Sequence, residues 1–220
     1  MLHVDLHSHT RFSFDSSMPP EVLVARCVSR GITCLAVTEH NNIGGALYVQ
    51  KIAPFKVIVG EEIKTDQGEI IGLFLTEEVP RDLTPEETLD RIHRQGGLAA
   101  VPHPYDRFRG SRLTEAALNK FAGQIDITEA FNCRTTLLRD SHRAEDYGRR
   151  RGHALGIGSD SHTPSEIGGA HIEMEDFDLR DPQEFLAKLR QGRLVGQRAN
   201  PLVHVPTRLV KTLRSVKRLL

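Results

Sequence analysis

Short apolar runs alternate with helix-length segments from one end of the chain to the other, and this alternation restricts the fold most. The runs "LHVDL", "ITCLAVT", "FKVIVGEEI", "EIIGLFLT", "LAAVPH", "IDITEAF", "HALGIGS", "AHIEM" and "LVGQ" predict strands. Between them lie segments with helix punctuation. "PPEVLVARCVSRG" opens on Pro19 and Pro20 and stops at Gly31. "TPEETLDRIHRQGG" offers Thr84 as a cap, Pro85 in the first turn and Gly96 as a stop. A β-α-β-α order predicts a mainly parallel sheet. About seven such units in one chain suit a small closed barrel. A doubly wound sheet is the main alternative, but its Gly-rich first turn is missing. That turn here reads "HSHTRFSFDSS". With no repeat or linker in view, a single domain over 1–220 is expected.

Composition narrows the function classes. Lysine plus arginine equals aspartate plus glutamate, 29 each, so no overall field recruits a polyanion. The first residues lack a basic n-region and a long apolar run, so no signal peptide is expected. No run approaches the length of a membrane span, so no membrane partner is expected. Cys27, Cys34 and Cys133 have no CxxC spacing and form no disulfide framework. An odd count fits a reducing cytoplasm. The 11 histidines are many for this length, and their positions matter more than their number.

In a parallel barrel all strand C-termini share one face, where active sites sit. Here the predicted strand ends offer His7 and His9, His40, Glu61 or Glu62, His103, Glu129 or Asn132, and Asp160 with His162. His7 and His9 are two apart, so on a strand both would project to the same face. Of the glutamate pair, Glu62 shares a face with small Gly60 and is the inward candidate. Its two oxygens could bridge two cations, which an imidazole cannot do.

The strings "DLHSHTRFSFD", "VTEHN", "GEEI", "VPHP" and "GSDSH", in this order over residues 5 to 162, resemble the polymerase and histidinol phosphatase (PHP) superfamily. The resemblance implies a distorted (β/α)7 TIM-like barrel. It implies two to three divalent metal ions in the mouth and hydrolysis of phosphate esters. Carried over by residue, His7, His9, Glu62 and Asp160 would hold one ion. Glu62, His103 and one fifth-strand residue would hold a second. Asp15, His40 and His162 would hold the third. "TEAFNC" offers Glu129, Asn132 and Cys133 for the fifth-strand place, with Glu129 favoured as a ligand or a supporting group. Glu39 stands where many relatives carry aspartate.

Cations are what this chemistry needs, because hydrolysis of a phosphate ester sets an anion to attack an anion. Mixed histidine and carboxylate donors suit Zn, Mn or Fe better than Ca, so His7, His9, Glu62, His103 and Asp160 are the catalytic candidates. Asp5 is expected to orient the imidazoles. Arg134 is the first choice for a substrate phosphate contact, followed by Arg11 and Lys64, with Arg107 and Arg109 also in range. His3 is read as a packed barrel residue. His93, His142, His153, His171 and His204 are read as structural or exposed.

The expected function is a cytoplasmic phosphoesterase acting on a small phosphorylated metabolite or nucleotide. A 3′-5′ exonuclease on short oligonucleotides is the runner-up. Aromatic content of 5% counts against a nucleic-acid groove. A non-catalytic metal-binding scaffold is a further alternative. Amidohydrolase chemistry would want a strand-end lysine, which is not evident. The last segment, about 207–220, is predicted to pack on the barrel through Leu209, Leu213, Val216 and Leu220. Its cations Lys211, Arg214, Lys217 and Arg218 lie elsewhere on the helix.

Overall fold

The computed structural model describes residues 1–217, excluding the side chains of 201, 204, 206 and 214–217. Nine strands form one sheet: β1 (Leu2–Asp5), β2 (Cys34–His40), β3 (Lys56–Thr65), β4 (Gly68–Leu73), β5 (Leu98–Val101), β6 (Ile127–Asn132), β7 (Ala154–Gly158), β8 (Ala170–Met174) and β9 (Arg193–Gly196). Their spatial order is β7-β6-β5-β4-β3-β2-β1-β8-β9. The helices are α1 (Pro20–Arg30), α2 (Gly44–Ile52), α3 (Pro85–Arg94), α4 (Glu115–Lys120), α5 (Leu138–Arg151), α6 (Pro182–Leu189) and α7 (His204–Lys217). Among the described residues, no helix is long and apolar enough to cross a membrane.

The sheet curls into a distorted barrel, and β1 closes it. Its first residues pair antiparallel with β8, with Leu2 opposite Met174 and Val4 opposite Ile172. Beyond Val4 the chain leaves β8 and turns to β7. Leu6 N–H donates to Ile157 O, Asp160 N–H donates to His7 O, and Ser8 bridges to Ser161. Two layers of packing follow from the alternation of side chains. Ala36, Ile58, Ile71, Leu98 and Ile127 belong to the inner cluster. Their neighbours Leu35, Val37, Val57 and Val59 belong to the outer one, with Leu23, Val49, Leu89 and Ile92 of the helices.

The predicted caps form. Thr84 and Glu87 make a reciprocal capping box at α3, and Gly31 closes α1 at a φ of 71°. The expectation of a mainly parallel sheet needs correction. Strands β3 and β4 form an antiparallel hairpin, and β4 also pairs antiparallel with β5. The excursion reverses one strand, so the start of β4 lies at the same end of the barrel as the finish of β3. His3 also differs from its expected packing inside the barrel. Its Nδ1 lies 3.0 Å from Gly31 O, against the end of α1, while Val4 next to it joins the inner cluster.

The last helix is turned the other way from the prediction. Leu209 and Leu213 are 59% and 57% exposed, whereas Thr207 accepts a hydrogen bond from buried Arg134. Among the described side chains of α7, Thr207 and Val210 are half-buried, so the side that carries Leu209 and Leu213 does not face the barrel. Val216, Leu220, Arg214, Lys217 and Arg218 lie outside the described side chains.

Candidate metal centre

Three groups of donors converge at the barrel mouth. The first gathers His7, His9, Glu62 and Asp160. His7 Nε2 lies 3.0 Å from His9 Nε2, and both lie 3.3 Å from Glu62 Oε2. Asp160 Oδ1 lies 3.7 Å from the His7 nitrogen and 3.4 Å from the His9 nitrogen. A tetrahedral ion with bonds of about 2.0–2.1 Å has donor-to-donor edges of about 3.3–3.4 Å. The four atoms therefore already stand at the spacing that one ion would impose. Asp160 Oδ1 is buried without a hydrogen-bond partner, as a ligand atom would be.

The ring nitrogens are oriented from behind. His7 Nδ1 lies 2.9 Å from Glu129 Oε1, and a carboxylate only accepts, so the ring proton sits on Nδ1 and Nε2 is left for an ion. Ser13 Oγ donates to Glu39 Oε2 and lies 3.0 Å from His9 Nδ1. Its one proton is thus committed to Glu39, and His9 must donate to it. Glu39 therefore acts through Ser13, and it also accepts from Thr10 N. Gly45 makes room for the longer carboxylate, since a Cβ there would come within 2.3 Å of Glu39 Oε1.

The second group is His103 Nε2, 3.1 Å from Glu62 Oε1. The third joins His40 Nε2, 3.3 Å from Asp15 Oδ2, and His162 Nε2, 3.3 Å from Asp15 Oδ1. His9, His40 and His162 also lie close enough to share an ion. His103 and Asp160 hold positive φ angles of 30° and 51°, a strained backbone at the two turns that aim these ligands.

Known proteins match this chain in sequence and in shape. The PHP domain matches residues 5–146, and the PHP-associated region matches residues 139–194. An uncharacterised protein of Methanocaldococcus jannaschii is 33% identical over 211 residues, covering 91% of this chain and 85% of that one. The chain belongs to the PHP family.

Among solved structures, a Bacteroides vulgatus two-domain protein described as containing a PHP-like metal-dependent phosphoesterase aligns with a TM-score of 0.72. It is 16% identical, covering 94% of this chain and 69% of that one. PsfC from Pseudomonas syringae aligns with a TM-score of 0.70 at 15% identity, covering 96% and 98%. At such identities these structures establish the PHP barrel and nothing finer.

Charge in this PHP mouth is strongly perturbed. Burial would push the His7 imidazolium down, but Asp160, Glu129 and Glu62 hold it well above its usual range. Burial and the nearby His162 and His40 push His9 down to about 3. Burial opposes the charge on Glu62, yet His7 and His40 hold it well below the carboxylate range. Asp160 is held low in the same way, by Arg109 and then His7. Glu61, the outward member of the glutamate pair, accepts from Val79 N instead.

Several supporting residues do not stand where the sequence put them. Asp5 Oδ1 accepts from the backbone N–H groups of His7 and Ser159, so it ties β1 to β7 and touches no imidazole. Lys64 pairs with Asp82 on the surface, because β3 continues past the mouth into its hairpin. Arg11 is exposed and does not line the mouth cavity. Arg134 does line it, but its guanidinium is spent on structure. It lies 3.3 Å from Glu166 and 2.5 Å from His162 Nδ1, and it donates to Val203 O and Thr207 Oγ1. Arg109 takes the forward position and contacts Asp160, whereas Arg107 turns away to Asp140.

Asn132 donates to both Glu129 and Asp160. Cys133 is buried among apolar groups. Two mouth carboxylates, Glu69 and Asp106, were not anticipated. Glu69 had a readable signal, since Glu69, Ile71 and Leu73 alternate onto one face of β4. A larger cavity of about 820 Å³ lies outside the barrel between α5, α6 and β9, and it contains none of these donors.

Proposed function

We propose that this PHP protein hydrolyses the phosphate ester of a small metabolite or nucleotide with the help of two to three divalent ions. One observation carries the reading: ring nitrogens and buried carboxylates converge at ion-ligating distances, and Asp15, His40 and His162 line a cavity of about 460 Å³. That volume suits a small molecule. Bound ions would neutralise the phosphoryl oxygens and acidify a water towards neutral pH.

The chain's own groups set the stage for that chemistry. Glu129 and Ser13 fix the His7 and His9 rings. Glu62 spans the donor groups, with Oε2 towards His7 and His9 and Oε1 towards His103. Arg109, Arg208 and Lys211 line the cavity and supply positive charge for a phosphate entering from solvent. The histidine and carboxylate donors favour Zn, Mn or Fe.

Phosphodiester cleavage at the end of a short oligonucleotide is the second reading. It is favoured by Phe108 at the rim, 67% exposed and available to stack on a base. A screen of phosphomonoesters, dinucleotides and short single strands with added Mn²⁺ or Zn²⁺ separates the two. We expect monoester turnover that His9→Ala abolishes. Full metal loading with no turnover of any phosphoester would sink the enzyme reading.

A further inference from the structure

We propose that α7 docks the protein on a membrane surface that carries anionic lipid, lying in the plane of the interface with its exposed apolar stripe towards the acyl chains. The docking face is outside the barrel, and it is independent of the ions and of the ester hydrolysed at the mouth.

The stripe is an arrangement, not a scatter. Leu202 and Val205 are 69% and 61% exposed, and Leu209 and Leu213 beyond them are nearly as open. Leu202 lies just before α7, and steps of three, four and four residues are the spacing of one helix face. Single exposed apolar side chains are ordinary, whereas a row of four on one face marks a surface that meets a partner. The direction of the row is fixed from behind. Buried Arg134 donates to Val203 O at 3.1 Å and to Thr207 Oγ1 at 2.7 Å. Lys211 Nζ stands 5.2 Å from the centre of the Phe14 ring. These contacts hold the Thr207 side of α7 against the barrel and turn Leu209 and Leu213 to solvent.

Charge selects the occupant. The chain is neutral as a whole, but its charge is unevenly placed. After Glu184 come nine lysines and arginines and no aspartate or glutamate, whereas residues 1–184 hold 20 basic and 29 acidic ones. Arg208 and Lys211 are exposed beside the stripe, and Arg214, Lys217 and Arg218 follow in the sequence. A leucine stripe flanked by cations, with no acid among them, suits an anionic lipid interface, where apolar burial and attraction to headgroups add. Other occupants fit less well. A second copy joined through the same face would set these cations against each other. A nucleic acid would take the cations and leave the leucines in water. No described helix spans a membrane, and a helix lying in the interface need not. Because Thr207, Arg208 and Lys211 line the mouth cavity, docking through α7 sets the mouth beside the lipid surface.

The chain has no tryptophan, so Leu209→Trp places a single reporter on the stripe. Its emission is followed on adding phosphatidylcholine vesicles with or without about one third phosphatidylglycerol. Wild type and Leu209→Asp are spun down with the same vesicles. We expect the emission to move to the blue with anionic vesicles and to stay unchanged with neutral ones. Wild type should sediment with the anionic vesicles, and less so at high salt. Leu209→Asp should bind about tenfold or more weakly, with circular dichroism matching wild type. Should that variant misfold, the tryptophan emission decides. Emission unmoved by anionic vesicles, or wild type left in the supernatant, would overturn the proposal. So would equal binding by folded Leu209→Asp, which would leave charge alone as the cause. A blue shift that grows with protein concentration in the absence of lipid would overturn it in favour of a second copy. One produced by a short single-stranded oligonucleotide would overturn it in favour of nucleic acid.

Discussion

Two histidine clusters sit near opposite ends of β1, and of the two the upper one has the deeper burial and the unpartnered carboxylate oxygens of a candidate metal centre. At the lower end His3, His171 and Glu173 come together, with the His3 and His171 rings 4.6 Å apart. At the upper end stand His7, His9, Glu62 and Asp160. The residue types are nearly the same, but the partners differ. Glu173 is held by Arg193 through Nε and Nη2, and all three lower groups are half-buried. Arg193 and partial exposure to solvent meet their polar needs. In the mouth, the His9, Glu62 and Asp160 side chains are fully buried. Asp160 and Glu69 each keep an oxygen without a partner. Burial without satisfaction leaves a demand for positive charge that solvent cannot meet, and that demand, not the count of histidines, marks the site.

Matched alanine substitutions put the largest strain on this comparison. His9→Ala removes a proposed ion ligand and should lower phosphoester turnover by about 10³-fold or more, the several kcal/mol expected of a lost ion contact. His171→Ala should leave turnover within about twofold. Metal-dependent thermal shifts provide a second readout, because ligands that bind only the native state raise its melting temperature. His9→Ala should lose much of the shift and His171→Ala should keep it. Equal losses in both variants would mean that the lower cluster shares the chemistry.

Most of the candidate residues that come together at the mouth were readable, because a parallel strand places its C-terminal residues there. His40, Glu62, His103 and Asp160 stand at or near predicted strand ends, and the resemblance to the PHP superfamily named them as candidate ligands. Glu69 did not follow, because the strand-end rule looks at the wrong end of an antiparallel strand. The division of labour at Glu129 also lay beyond sequence, since it depends on which donors reach its two oxygens. Lys64 misled for a related reason. It is near Glu62 in sequence, but β3 carries it past the mouth to Asp82. The described part of the α7 stripe, Leu209 and Leu213, faces away from the barrel, and Arg134 instead donates to Val203 O and Thr207 Oγ1.

A smaller effect comes from adding one methyl group at each end. A Cβ on Gly158 would come within 2.3 Å of His7 Cβ and 2.4 Å of Glu129 Oε1, between β6 and the segment that follows β1. Gly158→Ala should cost about 1–3 kcal/mol of stability and weaken metal binding by displacing the His7 ring. Gly31→Ala at the lower end meets only His3 Nδ1, at 3.9 Å. Its cost is that of a left-handed helix cap at a φ of 71°, about 1 kcal/mol, with metal binding unchanged. Chemical denaturation with and without Mn²⁺ checks both.

The smallest effect is a pH dependence confined to the lower cluster. Burial and then the charge of His3 lower the His171 pKa below its usual value, although Glu173 works against this. The folded state therefore disfavours the protonated ring relative to the unfolded chain. The neutral ring's contribution is present above about pH 6.5, the unfolded value, and is lost as pH falls towards the folded one. Melting temperatures of wild type and His171→Gln, compared at pH 7.5 and 5.5, isolate this contribution because the mouth titrates alike in both. The wild type should lose slightly more stability on acidification than the variant. A variant that loses more than wild type would show that Glu173 and protonated His171 form a favourable pair, and the lower cluster would then be an ion pair in its own right.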